Sequence, residues 1–143
     1  MRFWDSSAVV PLLVGEPAHA AAMREFDRDP EIIAWWSTSV ECVSALARLE
    51  REGAVAADDT RTSLARLDAL AAAWHEIQPV VPVRQRAIRL LRVHPLRAAD
   101  ALQLAAAITA AEDQPSTLPF VTFDDRLAVA AEREGFNVVQ PMS

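Results

Sequence analysis

The sequence contains no lysine, because all 14 of its basic residues are arginine. Any mechanism that requires a lysine side chain is therefore excluded. Only three glycines occur in 143 residues, and none forms the glycine-rich pattern of a phosphate-binding loop or a dinucleotide-binding turn. These two absences remove several common classes of nucleotide-dependent enzyme.

Cysteine is also scarce, since Cys42 is the only one. It can form neither an internal disulfide nor a zinc framework, which is compatible with a reducing cytosol. Cys42 lies four residues before Leu46 in a predicted helix, so we expect it to be a small core residue.

No segment approaches the roughly 20 apolar residues that a membrane helix requires. Asp5 interrupts the apolar run at the N-terminus, which otherwise resembles a signal sequence. We therefore expect a cytoplasmic protein. The net charge of -6 argues against a protein that coats nucleic acid through bulk positive charge.

The remaining composition is that of a globular domain, with 52% hydrophobic and 24% charged residues. We expect a single domain over residues 1–143, long enough to bury a substantial core. Predicted strands cover residues 2–5, 31–36, 76–81, 120–123 and 137–139. Predicted helices cover 6–14, 17–28, 38–52, a segment capped by Asp58 or Asp59, 82–93, 97–112 and 125–134, with a break at Gly15-Glu16-Pro17. This alternation predicts an α/β sandwich around a mostly parallel sheet.

Asp100 is the acid that is hardest to explain as a surface residue. It begins an alanine-rich helix after Pro95, and Leu104 and Ile108 follow it at helical spacing. The carboxylate therefore shares a face with aliphatic side chains that should be buried. A carboxylate in such a place is normally paired, protonated or bound to a metal ion.

Three other acids stand where predicted strands pass into helices. Asp5 ends the first strand, Glu41 follows Ser37-Thr38-Ser39-Val40, and Asp124 follows Phe120-Val121-Thr122-Phe123. Ligands of parallel sheets bind beyond the carboxyl ends of the strands. We therefore predict that the four acids converge on a hard divalent cation, Mg²⁺ or Mn²⁺, which implies phosphodiester hydrolysis. Each acid alone also fits a helix cap or a favourable first-turn position, and that alternative stays open.

At this point the ordered motifs resemble a known family. The motifs are Asp5-Ser6-Ser7-Ala8, Glu41-Cys42-Val43-Ser44-Ala45-Leu46-Ala47-Arg48, Leu96-Arg97-Ala98-Ala99-Asp100-Ala101-Leu102-Gln103-Leu104-Ala105 and Val121-Thr122-Phe123-Asp124. Together they resemble the PIN-domain ribonucleases, specifically the VapC-like toxins of bacterial toxin–antitoxin pairs, over nearly the whole chain. The resemblance implies a PIN-like three-layer α/β/α sandwich and an Mg²⁺- or Mn²⁺-dependent endoribonuclease. It also implies an RNA substrate, often transfer or ribosomal RNA, a neutralising cognate antitoxin and a homodimer.

The resemblance assigns roles to individual residues. Asp5, Glu41, Asp100 and Asp124 match the catalytic and metal-binding acids of the family. Ser6 and Thr122 match hydroxyl positions that hold water or a carboxylate, with capping of local backbone as an equal alternative. The resemblance also allows Asp125 as a substitute or outer ligand, but helix capping and surface exposure explain this residue better.

A run of arginines leads into Asp100 without an intervening acid. It consists of Arg84, Arg86, Arg89, Arg92 and Arg97. Arginine binds phosphate through two hydrogen bonds, so we assign this surface to RNA. A solvated or antitoxin-facing helix is the alternative. Helices 17–28 and 38–52 offer further apolar stripes for a partner helix or a second copy.

The sequence has three alternative functional interpretations. A signalling receiver domain needs a lysine near its last strands, and a haloacid dehalogenase phosphatase needs a second aspartate where Ser7 stands. The third alternative is a PIN-like protein- or RNA-binding module with little turnover. It stays open because sequence does not show how the carboxylates are held.

Overall fold

The computed structural model describes residues 1–15 and 17–142. Five strands and seven α-helices alternate along the described chain. In order they are β1 (Arg2–Trp4), α1 (Ser6–Leu13), α2 (His19–Arg28), β2 (Ile32–Trp35), α3 (Thr38–Arg51), α4 (Ala57–Ala73), β3 (His75–Ile77), α5 (Val81–Val93), α6 (Ala98–Ala110), β4 (Phe120–Val121), α7 (Asp125–Arg133) and β5 (Val138–Val139). A 3₁₀ turn at Pro115–Thr117 precedes β4. The predicted break at Gly15-Glu16-Pro17 includes Glu16, which lies outside the described residues.

The strands form one sheet in the order β3-β2-β1-β4-β5, and every described pair is parallel. The central strand β1 pairs with both neighbours, with Phe3 opposite Ile33 on one side and Phe120 on the other. Phe3 and Trp4 are fully buried, as expected for a parallel strand covered on both faces.

Helices cover both faces of this sheet. Phe3, Ile33 and Phe120 belong to a core cluster that includes residues of α5, α6 and α7. Trp4, Ala34 and Val121 belong to a second cluster with residues of α1, α2, α3 and α4. The two clusters follow the alternation of side chains along the strands. The predicted three-layer α/β/α sandwich around a parallel sheet is confirmed.

The boundaries of several predicted elements were wrong, and two of these differences have a clear local cause. The third strand spans His75–Ile77 rather than residues 76–81, because Pro79 has no N–H to donate to a strand ladder and α5 begins at Val81. The helix α4 begins at Ala57 with Ala56 as its N-cap, and Asp58 and Asp59 lie in its first turn instead of capping it. The negative charges of both acids still interact favourably with the helix dipole there.

The helices that directly follow strands start at the carboxyl edge of the sheet, and three of these junctions position the site. α1 follows β1, α3 follows β2 and α7 follows β4. Asp5 is the N-cap of α1 and Asp124 is the N-cap of α7. None of the helices in the described ranges is both long enough and apolar enough to cross a membrane.

Candidate active site

Asp5 lies at the centre of the carboxyl edge, directly after β1, and only 3% of it is exposed. Its Oδ1 accepts a hydrogen bond from the Ser7 hydroxyl at 2.8 Å, and its Oδ2 accepts one from the Ser7 N–H at 3.2 Å. Burial raises the pKa of this carboxyl from 3.8 to about 7, although hydrogen bonds from Ser7 and Thr122 oppose the rise. The negative charge of Asp124 adds to it. The ionised form of the Asp5 carboxyl group therefore lowers the stability of the folded protein.

Two hydroxyl groups connect the start of α1 to the end of β4. The Oγ atom of Ser7 lies 3.2 Å from Oγ1 of Thr122 and accepts a hydrogen bond from the Phe123 N–H at 2.9 Å. Oγ1 of Thr122 accepts a hydrogen bond from the Asp124 N–H at 3.0 Å. These contacts hold Asp5 and Asp124 on one rigid framework. Ser7 was not among the predicted site residues; the signal for it was a second hydroxyl beside Ser6, in the first turn of the helix that Asp5 caps.

Asp124 accepts a hydrogen bond from the Leu127 N–H through Oδ1 at 3.0 Å and so caps α7. The capping alternative is therefore correct for both Asp5 and Asp124, and it does not compete with a catalytic role. Each cap fixes its carboxyl group at the edge of the sheet. Asp125 is exposed and accepts a hydrogen bond from Gln140 at 2.6 Å.

Glu41, in the first turn of α3, receives hydrogen bonds from three side chains. The Ser6 hydroxyl donates to Oε1 at 3.1 Å, while Ser37 Oγ and Gln103 Nε2 donate to Oε2 at 2.9 and 3.0 Å. The donors come from α1, the β2–α3 connection and α6. Ser37 and Gln103 were not predicted. Gln103 left a signal in the sequence, since it is the one polar residue in the apolar run 101–108.

Asp100 lies in the first turn of α6 and is partly buried. Burial raises its pKa, and the charge of Asp124 raises it further. The charges of Arg97 and Arg126 act in the opposite direction. Arg126 was not predicted, because its effect on Asp100 depends on how α7 packs beside α6 on one face of the sheet.

The charges of three of the four predicted acids interact at this edge. Asp124 raises the pKa of both Asp5 and Asp100. Burial, together with the charges of Glu41 and Asp5, raises the pKa of Cys42 to about 12. Cys42 is fully buried, which makes it a protonated core thiol rather than a nucleophile.

The donor set consists of carboxylate oxygens, which are the ligands that hard divalent cations prefer. As the side chains stand, no three His, Cys, Asp or Glu residues in ranges 1–15 and 17–142 are grouped so that they could hold a metal ion. Mg²⁺ is commonly held by one or two carboxylates and keeps several waters. The residues therefore fit a hydrated cation in an open site.

The predicted RNA-binding arginines do not form one uniform surface. Arg86 forms two hydrogen bonds with the Asp113 carboxylate, at 3.1 and 2.8 Å. Arg89 pairs with Glu134 at 2.8 Å, and Glu134 also contacts His94 at 2.7 Å. Arg84 and Arg92 are exposed on the same helix, α5. Arg97, the N-cap of α6, is the member of this run whose charge reaches Asp100.

The sequence and the fold of this chain are similar to those of known proteins. The sequence model described as "PIN domain" matches residues 2–133. The fold is similar to the Mycobacterium tuberculosis toxin VapC20, which cleaves the sarcin-ricin loop, with a TM-score of 0.71 and 18% identity over 99% of this chain and 100% of that one. It is also similar to a toxin–antitoxin complex from Klebsiella pneumoniae, with a TM-score of 0.68 and 16% identity over 100% and 99% of the two chains. FitAcB from Neisseria gonorrhoeae has a TM-score of 0.68 and 18% identity over 99% and 98%. No curated protein sequence matched the chain.

Proposed function

Because this chain belongs to the PIN domain family, we propose that it is a divalent-metal-dependent endoribonuclease and the toxin of a toxin–antitoxin pair. One observation carries the proposal. Asp5, Asp100 and Asp124 come from three separate parts of the chain, yet the charge of Asp124 raises the pKa of the other two. Gathering carboxylates in this way costs stability, and a bound cation offsets the cost.

Asp5, Glu41, Asp100 and Asp124 would hold Mg²⁺ or Mn²⁺, directly or through water. A cation there would lower the pKa of a bound water and offset the charge that develops on phosphate oxygens. The protein's own part is to keep the carboxylates in place. Ser7 and Thr122 fix Asp5 relative to Asp124, and three donors fix Glu41. Such supporting contacts orient metal ligands, and their loss typically lowers metal affinity or activity about 10- to 100-fold.

The experiment that tests this function is digestion of total cellular RNA by the purified, partner-free chain with Mg²⁺ or Mn²⁺. We expect discrete cuts, with transfer or ribosomal RNA as the candidate substrates, that disappear with EDTA and in Asp100→Ala. Sequencing the new RNA ends identifies the substrate. Folded, Mn²⁺-loaded protein that leaves the whole RNA pool intact would contradict the proposal and favour a binding module with little turnover.

Arg97 is the predicted RNA contact that the structure supports best, since it lies at the N-terminus of α6 beside Asp100. The guanidinium groups of Arg86 and Arg89 already bind Asp113 and Glu134. We expect Arg97→Ala to weaken binding of single-stranded RNA in EDTA and to reduce the slope of log K against log salt by about 0.7, the loss of one phosphate contact. Arg86→Ala should change both quantities less. Fluorescence anisotropy at several salt concentrations measures them, and equal effects of the two variants would contradict the ranking.

Two protein partners belong to the same proposal. The groove between α2 and α4, lined by Leu12, Met23, Phe26 and Leu70 with a volume of about 540 Å³, fits the apolar face of an antitoxin segment. Val40 and Val43, exposed on α3, support a homodimer. Light scattering of the purified chain, alone and with the antitoxin, checks both; a mass of 15.7 kDa at micromolar concentration would contradict the dimer.

A further inference from the structure

Gln103 is a buried polar side chain beside the proposed metal ligand Glu41. It lies on α6 one turn after Asp100, and 1% of it is exposed. Its Nε2 group donates to Oγ1 of Thr38 at 3.1 Å and to Oε2 of Glu41 at 3.0 Å. Both acceptors belong to α3, so this one amide connects two of the helices that carry the acids.

The chemistry of the contact fixes the orientation of the amide. An ionised glutamate only accepts hydrogen bonds, so the nitrogen of Gln103 must face Glu41 and the oxygen must face away. In that orientation Oε1 of Gln103 is buried and has no hydrogen-bond partner within the part of the chain that is described. An unsatisfied buried carbonyl reduces stability. Leu104 and Ala105, the next residues along α6, are fully buried and apolar, so packing alone gives no reason for an amide at position 103.

The other donors to Glu41 do not have this geometry. Ser6 belongs to α1 and Ser37 precedes α3, whereas Gln103 is on the helix that presents Asp100. A donor on α6 fixes the Glu41 carboxylate relative to Asp100, which the two serines cannot do. The energetic cost at Oε1 therefore has a functional explanation.

We propose that Gln103 is a positioning residue that holds the Glu41 carboxylate from α6 and so fixes its place relative to Asp100. The inference rests on the proposed metal-dependent nuclease. Gln103 does not touch substrate, because it is buried behind Glu41. Its role is to make the donor set available in one arrangement before the cation and RNA bind.

The test compares Gln103→Leu with the wild-type chain in three measurements. Groups that orient metal ligands typically contribute 10- to 100-fold to metal affinity or activity. We expect Gln103→Leu to lower the Mn²⁺ affinity, measured by calorimetry without RNA, and kcat for RNA cleavage by roughly 10-fold or more. KM for RNA should stay within about 2-fold, because the phosphate contacts lie elsewhere. The melting temperature in EDTA should change by only a few degrees, because removal of the unpaired Oε1 offsets the hydrogen bonds that Thr38 and Glu41 lose.

Two further variants make the result specific. Gln103→His retains one N–H donor near the position of Nε2 and should recover part of the lost Mn²⁺ affinity. Gln78→Leu is the matched control, since Gln78 also donates from Nε2 to a glutamate, Glu76, at 2.9 Å but on the exposed surface after β3. It should leave Mn²⁺ affinity and kcat unchanged.

The outcomes separate this inference from the proposed function. Unchanged Mn²⁺ affinity and kcat in Gln103→Leu would overturn the positioning role and leave the nuclease intact. A wild-type chain that binds Mn²⁺ but cleaves no RNA would remove the nuclease, and the Mn²⁺ affinities would still decide the role of Gln103. A chain that neither binds Mn²⁺ nor cleaves RNA overturns both.

Discussion

Asp124→Asn is expected to abolish RNA cleavage while leaving the fold intact. The carboxyl group caps α7 by accepting a hydrogen bond from the Leu127 N–H, and asparagine caps helices about as well as aspartate. The substitution therefore keeps the cap and removes the negative charge. That charge raises the pKa of both Asp5 and Asp100, which makes Asp124 the acid that acts on two others.

The expected loss is about 100-fold or more in the cleavage rate. Charge stabilisation by a metal ion is worth several kcal/mol in the transition state, and each 1.36 kcal/mol corresponds to a tenfold change in rate. Single-turnover cleavage of the RNA identified in the digestion experiment measures the rate. Asp58→Asn is a suitable control, since Asp58 also lies in the first turn of a helix but its side chain is 92% exposed on α4. Asp124→Asn protein with wild-type melting temperature and wild-type activity would contradict the assignment.

The positions of Asp5 and Asp124 could be predicted because they depend on local signals. A short apolar run followed by an aspartate and a helix-forming segment predicts a strand, a cap and a helix. Asp5 and Asp124 occupy these places in the structure. Their meeting at one edge follows from the general rule that parallel strands present their carboxyl ends together.

The pair Trp35-Trp36 shows where local signals end. The continuous apolar run 31–36 predicts a strand through Trp36, but β2 ends at Trp35. Trp35 is 4% exposed and Trp36 is 50% exposed. Hydrophobicity alone does not distinguish the last residue of a buried strand from the first residue beyond it.

The contacts that hold the site could not be predicted for a different reason. Ser7 contacts Thr122 across 115 positions, and Gln103 contacts Glu41 across 62. Such contacts depend on the order of strands in the sheet and on how the N-terminal turns of α3 and α6 meet at its carboxyl edge, and no local pattern encodes either. A lone polar residue in an apolar helix indicates that a partner exists, but not which one.

Asp5→Asn is expected to stabilise the metal-free protein at neutral and alkaline pH. In the unfolded chain this carboxyl ionises near pH 3.8, whereas burial raises its pKa in the folded protein to about 7. The folded state therefore binds more protons between these values, and stability falls as the pH rises through this range. A difference of about 3 pKa units corresponds to about 4 kcal/mol of folding stability, which the wild-type chain loses as the carboxyl ionises. The Asp5→Asn variant keeps this stability because asparagine does not ionise.

Thermal unfolding in EDTA between pH 4 and pH 8 measures the effect. At pH 8 we expect Asp5→Asn to melt about 8–16 °C above the wild-type chain, since each 1 kcal/mol shifts the melting temperature of a domain of this size by about 2–4 °C. The advantage should nearly disappear near pH 4, because the wild-type carboxyl is then protonated in the folded state and only partly ionised in the unfolded state, so little of the difference in proton binding remains. Mn²⁺ should stabilise the wild-type chain but not the variant, because a ligand stabilises only the state that binds it. Equal melting temperatures at pH 8 in EDTA would show that Asp5 is not held at an energetic cost, and a buried carboxylate without such a cost has no need of a cation.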